Sequence, residues 1–233
     1  FRNRRFMVDG EEFFPLGVYL PWPAEVNGKV IPEQSAEQWL RDLPRIADAG
    51  FNFVTIAAPP HYRAKSEKAL DLAKELGLHC FVAAAPQDYA ELAARYPGIL
   101  GFLGPDEPEL NLDTVNFTPE RIAVDYAERK RHYADLPILI THSRPQAFDD
   151  YIGTRDLAMT DPYTFGKEYH DINRVEHFVR ELRRTSSEAL PCIVILQMYQ
   201  LPDGVMRLPS PIEMRCQMFL AAALGVDGIL VYM

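Results

Sequence analysis

The 233-residue sequence is poor in cysteine, with only Cys80, Cys192 and Cys216, and no two of them have the close spacing of a metal-binding pair. One thiol would be left over if two paired, so neither a zinc site nor a disulfide framework is expected. Long apolar runs are also missing. The stretch from Met218 to Val226 is about half of the roughly 20 residues that a membrane helix requires. We therefore expect no membrane-spanning segment, and no metal or organic cofactor is implied.

Positive charge is scarce as well, because 24 Lys and Arg residues face 33 Asp and Glu residues, which gives a formal net charge of −9. Nucleic acid and anionic membranes would be repelled over most of the surface. No glycine-rich phosphate-binding loop is present. The sequence therefore predicts neither a nucleic-acid partner nor a membrane partner, and it favours neutral or cationic small ligands.

Apolar runs alternate with amphipathic stretches along the whole chain, which is typical of parallel sheets built from strand and helix units. Most of the runs are continuous, as strands buried on both faces should be. They begin near Phe14, Asn52, His79, Ile99, Pro137, Leu157, Pro191 and Gly228. Eight such units predict an α/β fold of the (β/α)₈ TIM-barrel type, formed by residues 1–233 as a single domain.

The connections between the predicted strands differ in length and in their stop signals. Only about 20 residues separate the starts of the third and fourth strands, and of the fifth and sixth, so brief helices are expected there. Pro44 should kink or divide the first helix, and residues 21–32 read as a long loop. Helix stops are expected at Gly50, Gly77 and Gly225. The last strand runs to Met233, so the final helix is expected to be lacking, which leaves open a truncated barrel and a further C-terminal domain.

In a barrel of this type the functional residues lie at the C-terminal ends of the strands. This rule selects several aromatic and polar residues just beyond the apolar runs. They are Tyr19, Trp22, Pro59, His61, Gln87, Asp106, Glu107, His142, Arg144, Asp161, Tyr163, Gln197, Tyr199 and Tyr232. Aromatic rings stack on the C–H faces of sugars, and carboxylates and amides bond their hydroxyls. An oligosaccharide or glycoside is therefore the expected partner, although Trp22 could simply cover the barrel mouth and His142 could be an ordinary hydrogen-bonding residue.

The most informative segment is Gly104-Pro105-Asp106-Glu107-Pro108-Glu109, in which three carboxylates follow directly on the apolar run ILGFL. Crowded negative charge raises the pKa of at least one carboxyl. A carboxyl that stays protonated near neutral pH is what the general acid for glycosidic cleavage must be. The alternative interpretation is a solvated acidic turn that opens a helix.

At this segment the sequence resembles glycoside hydrolases of the large barrel clan that includes β-galactosidases and cellulases. The resemblance rests on four segments, which are VDGEEFFPLGVY, IADAGFNFVTI, GFLGPDEPE and MRCQMFLAAALGVDGILVY. In that clan an Asn-Glu pair ends the fourth strand, and its Glu acts as acid and base. Asp106-Glu107 matches this pair with Asp in place of Asn. The resemblance thus implies that Glu107 is the acid/base and that Asp106 meets a sugar hydroxyl.

The sequence departs from the clan at the seventh strand, where IVILQMYQ carries Gln197 in the place of the nucleophilic Glu. A neutral amide cannot form a glycosyl ester, so Gln197 is expected to hydrogen-bond the sugar instead. Three explanations remain open. Asp161 could be the second carboxylate, unless it is only a turn residue before Pro162. An Asp-Glu pair could assist a 2-acetamido substrate, as in hexosaminidases, or the barrel could bind carbohydrate without hydrolysing it.

Overall fold

The computed structural model describes residues 5–21, 25–26, 29–30, 36–110, 117–166, 170–186, 190–201 and 204–233. Trp22 lies outside these residues, so its predicted contact with a sugar stays a prediction. Among the described helices, none is both long enough and apolar enough to cross a bilayer.

Eight parallel strands form one closed barrel, as the sequence predicts. Barrel strands that follow one another in the chain are also neighbours in the barrel, and the last barrel strand closes the ring by pairing with the first. The barrel strands are β3 (Leu16–Tyr19), β6 (Phe53–Ala58), β7 (His79–Ala84), β8 (Ile99–Asp106), β9 (Ile138–His142), β10 (Leu157–Thr160), β11 (Cys192–Gln197) and β12 (Gly228–Tyr232). Every residue of β6, β9, β10 and β11 is buried. Continuous apolar runs are therefore the correct signal for these strands.

Helices connect the strands on the outside of the barrel. The α-helices are α1 (Ala36–Asp48), α2 (Arg63–Glu75), α3 (Tyr89–Arg95), α4 (Pro119–His132), α5 (Asn173–Thr185) and α6 (Pro211–Ala223). Short 3₁₀ helices occur at Pro60–Tyr62, Pro86–Asp88, Pro108–Leu110 and Pro145–Tyr151. The two connections predicted to be brief hold the 7-residue α3 and the 7-residue 3₁₀ helix Pro145–Tyr151.

Several helix ends follow the predicted signals. Gly50, Gly77 and Gly225 have φ values of +86°, +70° and +70°, a region that residues with a Cβ rarely adopt.

Pro44 lies inside α1, and the helix is continuous from Ala36 to Asp48, so the prediction that Pro44 could divide it is wrong. The missing N–H at Pro44 costs the helix one hydrogen bond. Trp39 and Leu43 on the same helix are fully buried in the core and offset that loss.

Two small hairpins precede α1. Strands β1 (Phe6–Val8) and β2 (Glu11–Phe13) pair around Asp9-Gly10, and Phe6 packs 6.1 Å from the Phe81 ring in the barrel core. Strands β4 (Glu25–Val26) and β5 (Lys29–Val30) pair within the segment predicted to be a loop. At the barrel wall, a Cβ on Gly17 would lie 2.1 Å from the Phe53 carbonyl oxygen, so this close approach of β3 to β6 requires glycine.

Candidate active site

A cavity of about 520 Å³ opens at the C-terminal ends of the barrel strands. Its wall contains three carboxyl groups and four tyrosines. The lining residues are Tyr19, Asp106, Glu107, Thr141, Asp161, Tyr163, Ile195, Tyr199, Gln200, Leu201, Tyr232 and Met233. The structure thus brings together seven residues of the predicted set, which are Tyr19, Asp106, Glu107, Asp161, Tyr163, Tyr199 and Tyr232. It places His142 and Gln197 elsewhere.

Glu107 and Asp161 come from different strands and meet in this cavity. Glu107 follows β8, Asp161 follows β10, and their carboxyl groups lie within hydrogen-bonding reach of each other. Two carboxyls can make such a contact only by sharing a proton. Burial, and then the nearby Glu107 charge, raise the pKa of Asp161 well above its usual range. The raised pKa of Asp161 therefore favours the state in which the pair holds one proton.

The two partners of this pair differ in how firmly they are held. Asp161 is only 4% exposed, and its backbone N–H donates to the His142 carbonyl at 3.3 Å. Within the described part of the chain, Asp161 Oδ1 has no hydrogen-bond partner. Glu107 is half-buried and has a φ of +45°, which is a strained value for a residue other than glycine. Strain of this kind is common where a side chain must be aimed at a site.

Asp106 is the third carboxyl of the cavity, and the Tyr19 hydroxyl donates to its Oδ1 at 3.1 Å. The side chain is open to solvent on the cavity side, but protein surrounds it on the others. This enclosure, together with the adjacent Glu107, raises the pKa of Asp106 to about 6. Asp106 therefore changes its charge at a higher pH than an ordinary aspartate does.

Glu109 is separated from the other two carboxylates of its segment. It is buried, and it accepts hydrogen bonds from the backbone N–H groups of Ser143 and Arg144. His142 Nδ1 lies 3.1 Å from Glu109 Oε2, and this contact, with the backbone bonds, keeps the pKa of Glu109 below its usual range despite burial. The interpretation of all three carboxylates as one solvated turn therefore does not hold for Glu109.

His142 completes a buried chain of polar groups behind the cavity. Arg155 Nη1 lies 2.8 Å from His142 Nε2, and because arginine can only donate, Nε2 must accept and the proton must lie on Nδ1. The imidazole is then neutral, in agreement with a pKa lowered by burial and by the Arg155 charge. Both ring nitrogens are occupied and Thr141 lines the cavity instead. His142 is therefore not placed to bind a sugar in this structure.

Gln197 is likewise buried and does not line the cavity. Its Oε1 accepts from the backbone N–H groups of Thr164 and Phe165 at 3.1 and 2.9 Å. Its Nε2 donates to the carbonyls of Phe165 and Arg207 at 3.0 and 2.8 Å. The predicted hydrogen bond to a sugar would require an amide that these backbone groups already use. The structure shows Gln197 joining the segments after β10 and β11.

Aromatic rings form the remaining wall of the cavity. The centroid of the Tyr199 ring lies 5.0 Å from that of Tyr232 and 5.1 Å from that of Tyr163. The Tyr19 and Tyr232 centroids are 5.9 Å apart. Burial and then the Asp161 charge raise the pKa of Tyr163 well above its usual value, so its hydroxyl remains a donor.

Thr141 also lines the cavity and was not among the predicted residues. Successive side chains of a strand point to opposite faces, so Thr141 on the cavity side places its neighbour His142 on the other side of β9.

Comparison with known proteins shows similarity of fold without close sequence similarity. No protein-family model matches the chain, and no curated protein matches it. Solved structures of glycoside hydrolases superpose on nearly the whole chain. A β-glucuronidase of Bacteroides uniformis matches with a TM-score of 0.70 and 13% identity over 99% of this chain and 32% of its own. The exo-β-1,4-mannosidase Op5Man5 of an Opitutaceae bacterium matches with a TM-score of 0.65 and 14% identity over 99% of this chain and 54% of its own.

A smaller enzyme gives the same result, since the β-glucosidase of Exiguobacterium antarcticum matches with a TM-score of 0.63 and 11% identity over 94% of this chain and 87% of its own. The chain thus has the TIM-barrel fold found in glycoside hydrolases. It spans about a third of the length of the Bacteroides uniformis enzyme.

Proposed function

We propose that this barrel hydrolyses O-glycosidic bonds and that the Glu107–Asp161 pair performs the chemistry. The observation that carries the proposal is the contact of these two carboxyls in a tyrosine-lined cavity at the C-terminal ends of the strands. Glycosidic cleavage needs one carboxyl that gives a proton and a second that is ionised. A pair that shares a single proton can provide both.

The proton would follow a short path. Glu107 is the more exposed partner, so it passes the shared proton to the leaving oxygen of the glycoside. The bond from the anomeric carbon to that oxygen breaks, and the alcohol leaves as a neutral molecule. Asp161 is then ionised beside the positively charged sugar, which it stabilises or attacks. Glu107 later takes a proton from a water molecule whose oxygen bonds to the anomeric carbon, and the bond from that carbon to Asp161 breaks and releases the Asp161 carboxylate.

The spacing of the pair favours retention of the anomeric configuration. Carboxyls in contact are closer than the about 5–5.5 Å typical of retaining enzymes, and much closer than the about 6.5–9.5 Å of inverting ones. To reach the retaining distance, the Glu107 side chain would have to move away from Asp161. Inversion would need a larger separation and space for a water molecule between the carboxyls. We therefore propose that Asp161 attacks the sugar directly, and NMR of the first-formed anomer tests this.

Substrate binding would use the remaining groups of the cavity. The Asp106 carboxylate accepts from sugar hydroxyls, and the rings of Tyr199 and Tyr232 pack on the sugar faces. The structural neighbours named above act on glucuronides, mannosides and glucosides according to their names, so a pyranoside is the proposed substrate class.

The variant Glu107→Gln tests the proposal. The amide keeps the shape of the carboxyl but cannot pass a proton, so kcat/KM on a panel of aryl glycosides should fall by about 10² to 10⁴ while sugar binding remains. Glu128→Gln on the exposed surface of α4 makes the same chemical change away from the cavity and should leave the rate unchanged. Equal rates for Glu107→Gln and the wild type would show that Glu107 is not the acid.

A second candidate function is carbohydrate binding without hydrolysis. The position of Gln197 favours it, because the residue in the place of the clan's nucleophile is a neutral amide committed to backbone groups. If the wild type hydrolyses no glycoside in the panel but binds an oligosaccharide in calorimetry, this second function replaces the first.

A further inference from the structure

The described lining of the active-site cavity contains carboxyl groups but no basic side chain. Asp106, Glu107 and Asp161 line it, whereas lysine, arginine and histidine are absent from its described lining. Arg155 is a buried cation, but its guanidinium bonds to His142, which in turn bonds to the Glu109 carboxylate behind the cavity. The negative charge that faces the cavity is therefore not balanced by the side chains of its described lining.

One oxygen of this carboxyl cluster has no donor. Asp161 Oδ1 is buried and unpartnered among the described residues, and the residue lines the cavity. A buried acceptor without a partner costs free energy, which a bound donor would recover. A sugar hydroxyl provides one donor, whereas an ammonium provides three donors and a positive charge.

The aromatic wall points to the same kind of ligand. The faces of tyrosine rings attract cations, and rings arranged around a pocket are a common means of binding ammonium groups. Tyr163, Tyr199 and Tyr232 lie with their centroids 5.0 to 6.2 Å apart on the wall that also carries Asp161. Carboxylates and aromatic faces thus meet in one cavity.

We infer that the sugar bound in this cavity is an amino sugar with a free ammonium group, held between the carboxyl cluster and the tyrosine rings. The inference rests on the proposed function and specifies its substrate class. An ammonium adds a counter-charge beside the shared proton, which stays available for catalysis, so binding relieves the repulsion between Asp106 and the carboxyl pair. A uronic acid would add a further carboxylate to the same cavity and is disfavoured.

Calorimetry with four methyl β-glycosides tests the inference. The glycosides are those of glucosamine, N-acetylglucosamine, glucose and glucuronic acid, compared at neutral pH and low salt. The glucosaminide should bind on the order of tenfold more tightly than the glucoside and the N-acetylglucosaminide, and the glucuronide should bind most weakly. Equal or tighter binding of the glucoside, the N-acetylglucosaminide or the glucuronide would overturn the inference.

Four variants test which groups cause the preference, measured as the ratio of the glucosaminide affinity to the glucoside affinity. Tyr199→Leu removes a ring and should lower this ratio by about threefold or more, whereas Tyr199→Phe keeps the ring and should preserve it. Asp161→Asn removes one of the carboxyls that face the ammonium and should lower this ratio. Glu128→Gln removes one negative charge from the distant surface and should leave the ratio unchanged, which controls for the net charge of the protein. An unchanged ratio in Tyr199→Leu and Asp161→Asn would contradict the placement of the ammonium.

Hydrolysis of the matching 4-nitrophenyl glycosides separates this inference from the proposed function. Turnover of the glucoside at a higher kcat/KM than the glucosaminide would overturn the amino-sugar inference and leave the hydrolase proposal intact. No turnover of any glycoside, combined with preferred binding of the glucosaminide, would overturn the hydrolase proposal and support the recognition of an ammonium.

Discussion

Two residues of this protein show that a residue at the position of a catalytic residue in similar enzymes need not have the same role. Sequence position suggests that Gln197 replaces a catalytic Glu, yet its amide bonds to backbone groups of the two segments that follow β10 and β11. Glu107 and Glu109 lie two residues apart in one acidic segment, and of these two only Glu107 lines the cavity. The backbone at Glu107, with its φ of +45°, turns the two side chains apart. No sequence signal gives that angle for a glutamate.

Gln197→Glu tests the structural role of this amide. A carboxylate cannot donate to the Phe165 and Arg207 carbonyls, and an uncompensated buried charge costs about 3–5 kcal/mol. The melting temperature should fall by roughly 10 °C, since about 2–4 °C per kcal/mol is usual for a chain of this size. The buried carboxyl would have a raised pKa in the folded state, so the loss should be larger at pH 8 than at pH 5.

Gln200→Glu is the matched control for this variant, because Gln200 is exposed and lines the cavity. Its melting temperature should stay close to that of the wild type. An unchanged melting temperature in Gln197→Glu, together with a gain in hydrolysis, would instead assign Gln197 to the place of a nucleophile.

At the scale of elements, the strands were the most predictable part of the molecule. Each predicted run coincides with a barrel strand, because burial on both faces leaves an apolar signal along the whole strand. The hairpin of β1 and β2 was missed although Asp9-Gly10, with φ values of +51° and +87°, is a recognisable turn pair. His142 was misplaced because its direction depends on Glu109 and Arg155, and such tertiary contacts leave no local pattern.

Glu109 links the loop after β8 to the end of β9, and Glu109→Gln tests this link. The variant leaves the buried Arg155 charge without its counter-ion, which should cost about 3–5 kcal/mol in unfolding by denaturant. The pKa of Glu109 is lowered in the folded protein, so its contribution is present above the ordinary Glu pKa of about 4.3 and is lost as pH falls below it. The difference from the wild type should therefore shrink in acid.

The double variant Glu109→Gln with Arg155→Met removes both charges of this buried chain. It should be more stable than the sum of the two single variants predicts, because no buried charge is left alone. Additive losses would show that Glu109 and Arg155 are not coupled through His142. Glu120→Gln, at an exposed position in the first turn of α4, serves as the surface control.

At the scale of the whole molecule, the cavity concentrates negative charge in a protein that already carries a net charge of −9. The rule that barrel sites lie at the C-terminal ends of strands was enough to predict that Asp106, Glu107 and Asp161 converge. Whether two carboxyls touch or lie a water molecule apart depends on distances between β8 and β10 that no sequence pattern encodes. Such a cluster is kept at the expense of stability, as is common in active sites.

Asp161→Asn should therefore stabilise the fold while abolishing hydrolysis. The pKa of Asp161 is raised in the folded state, so the wild type binds more protons when folded and loses stability as pH rises above the ordinary Asp pKa of about 3.9. Asparagine has no such dependence and can donate to Glu107. The melting temperatures should be similar near pH 4, and the variant should exceed the wild type by a few degrees at pH 7 to 8.

Asp156→Asn is the matched control, because the Asp156 carboxylate accepts from the Ile138 N–H and the Tyr126 hydroxyl and pairs with Lys130. A carboxylate that is satisfied in this way stabilises the fold, so its replacement should lower the melting temperature at neutral pH. Changes of opposite sign in the melting temperatures of the two variants would show that the Asp156 carboxyl stabilises the fold, whereas the Asp161 carboxyl destabilises it and serves the cavity. A lower melting temperature for Asp161→Asn across the whole pH range would show that Asp161 is ionised and paired in the folded protein, and the shared-proton mechanism would fail with it.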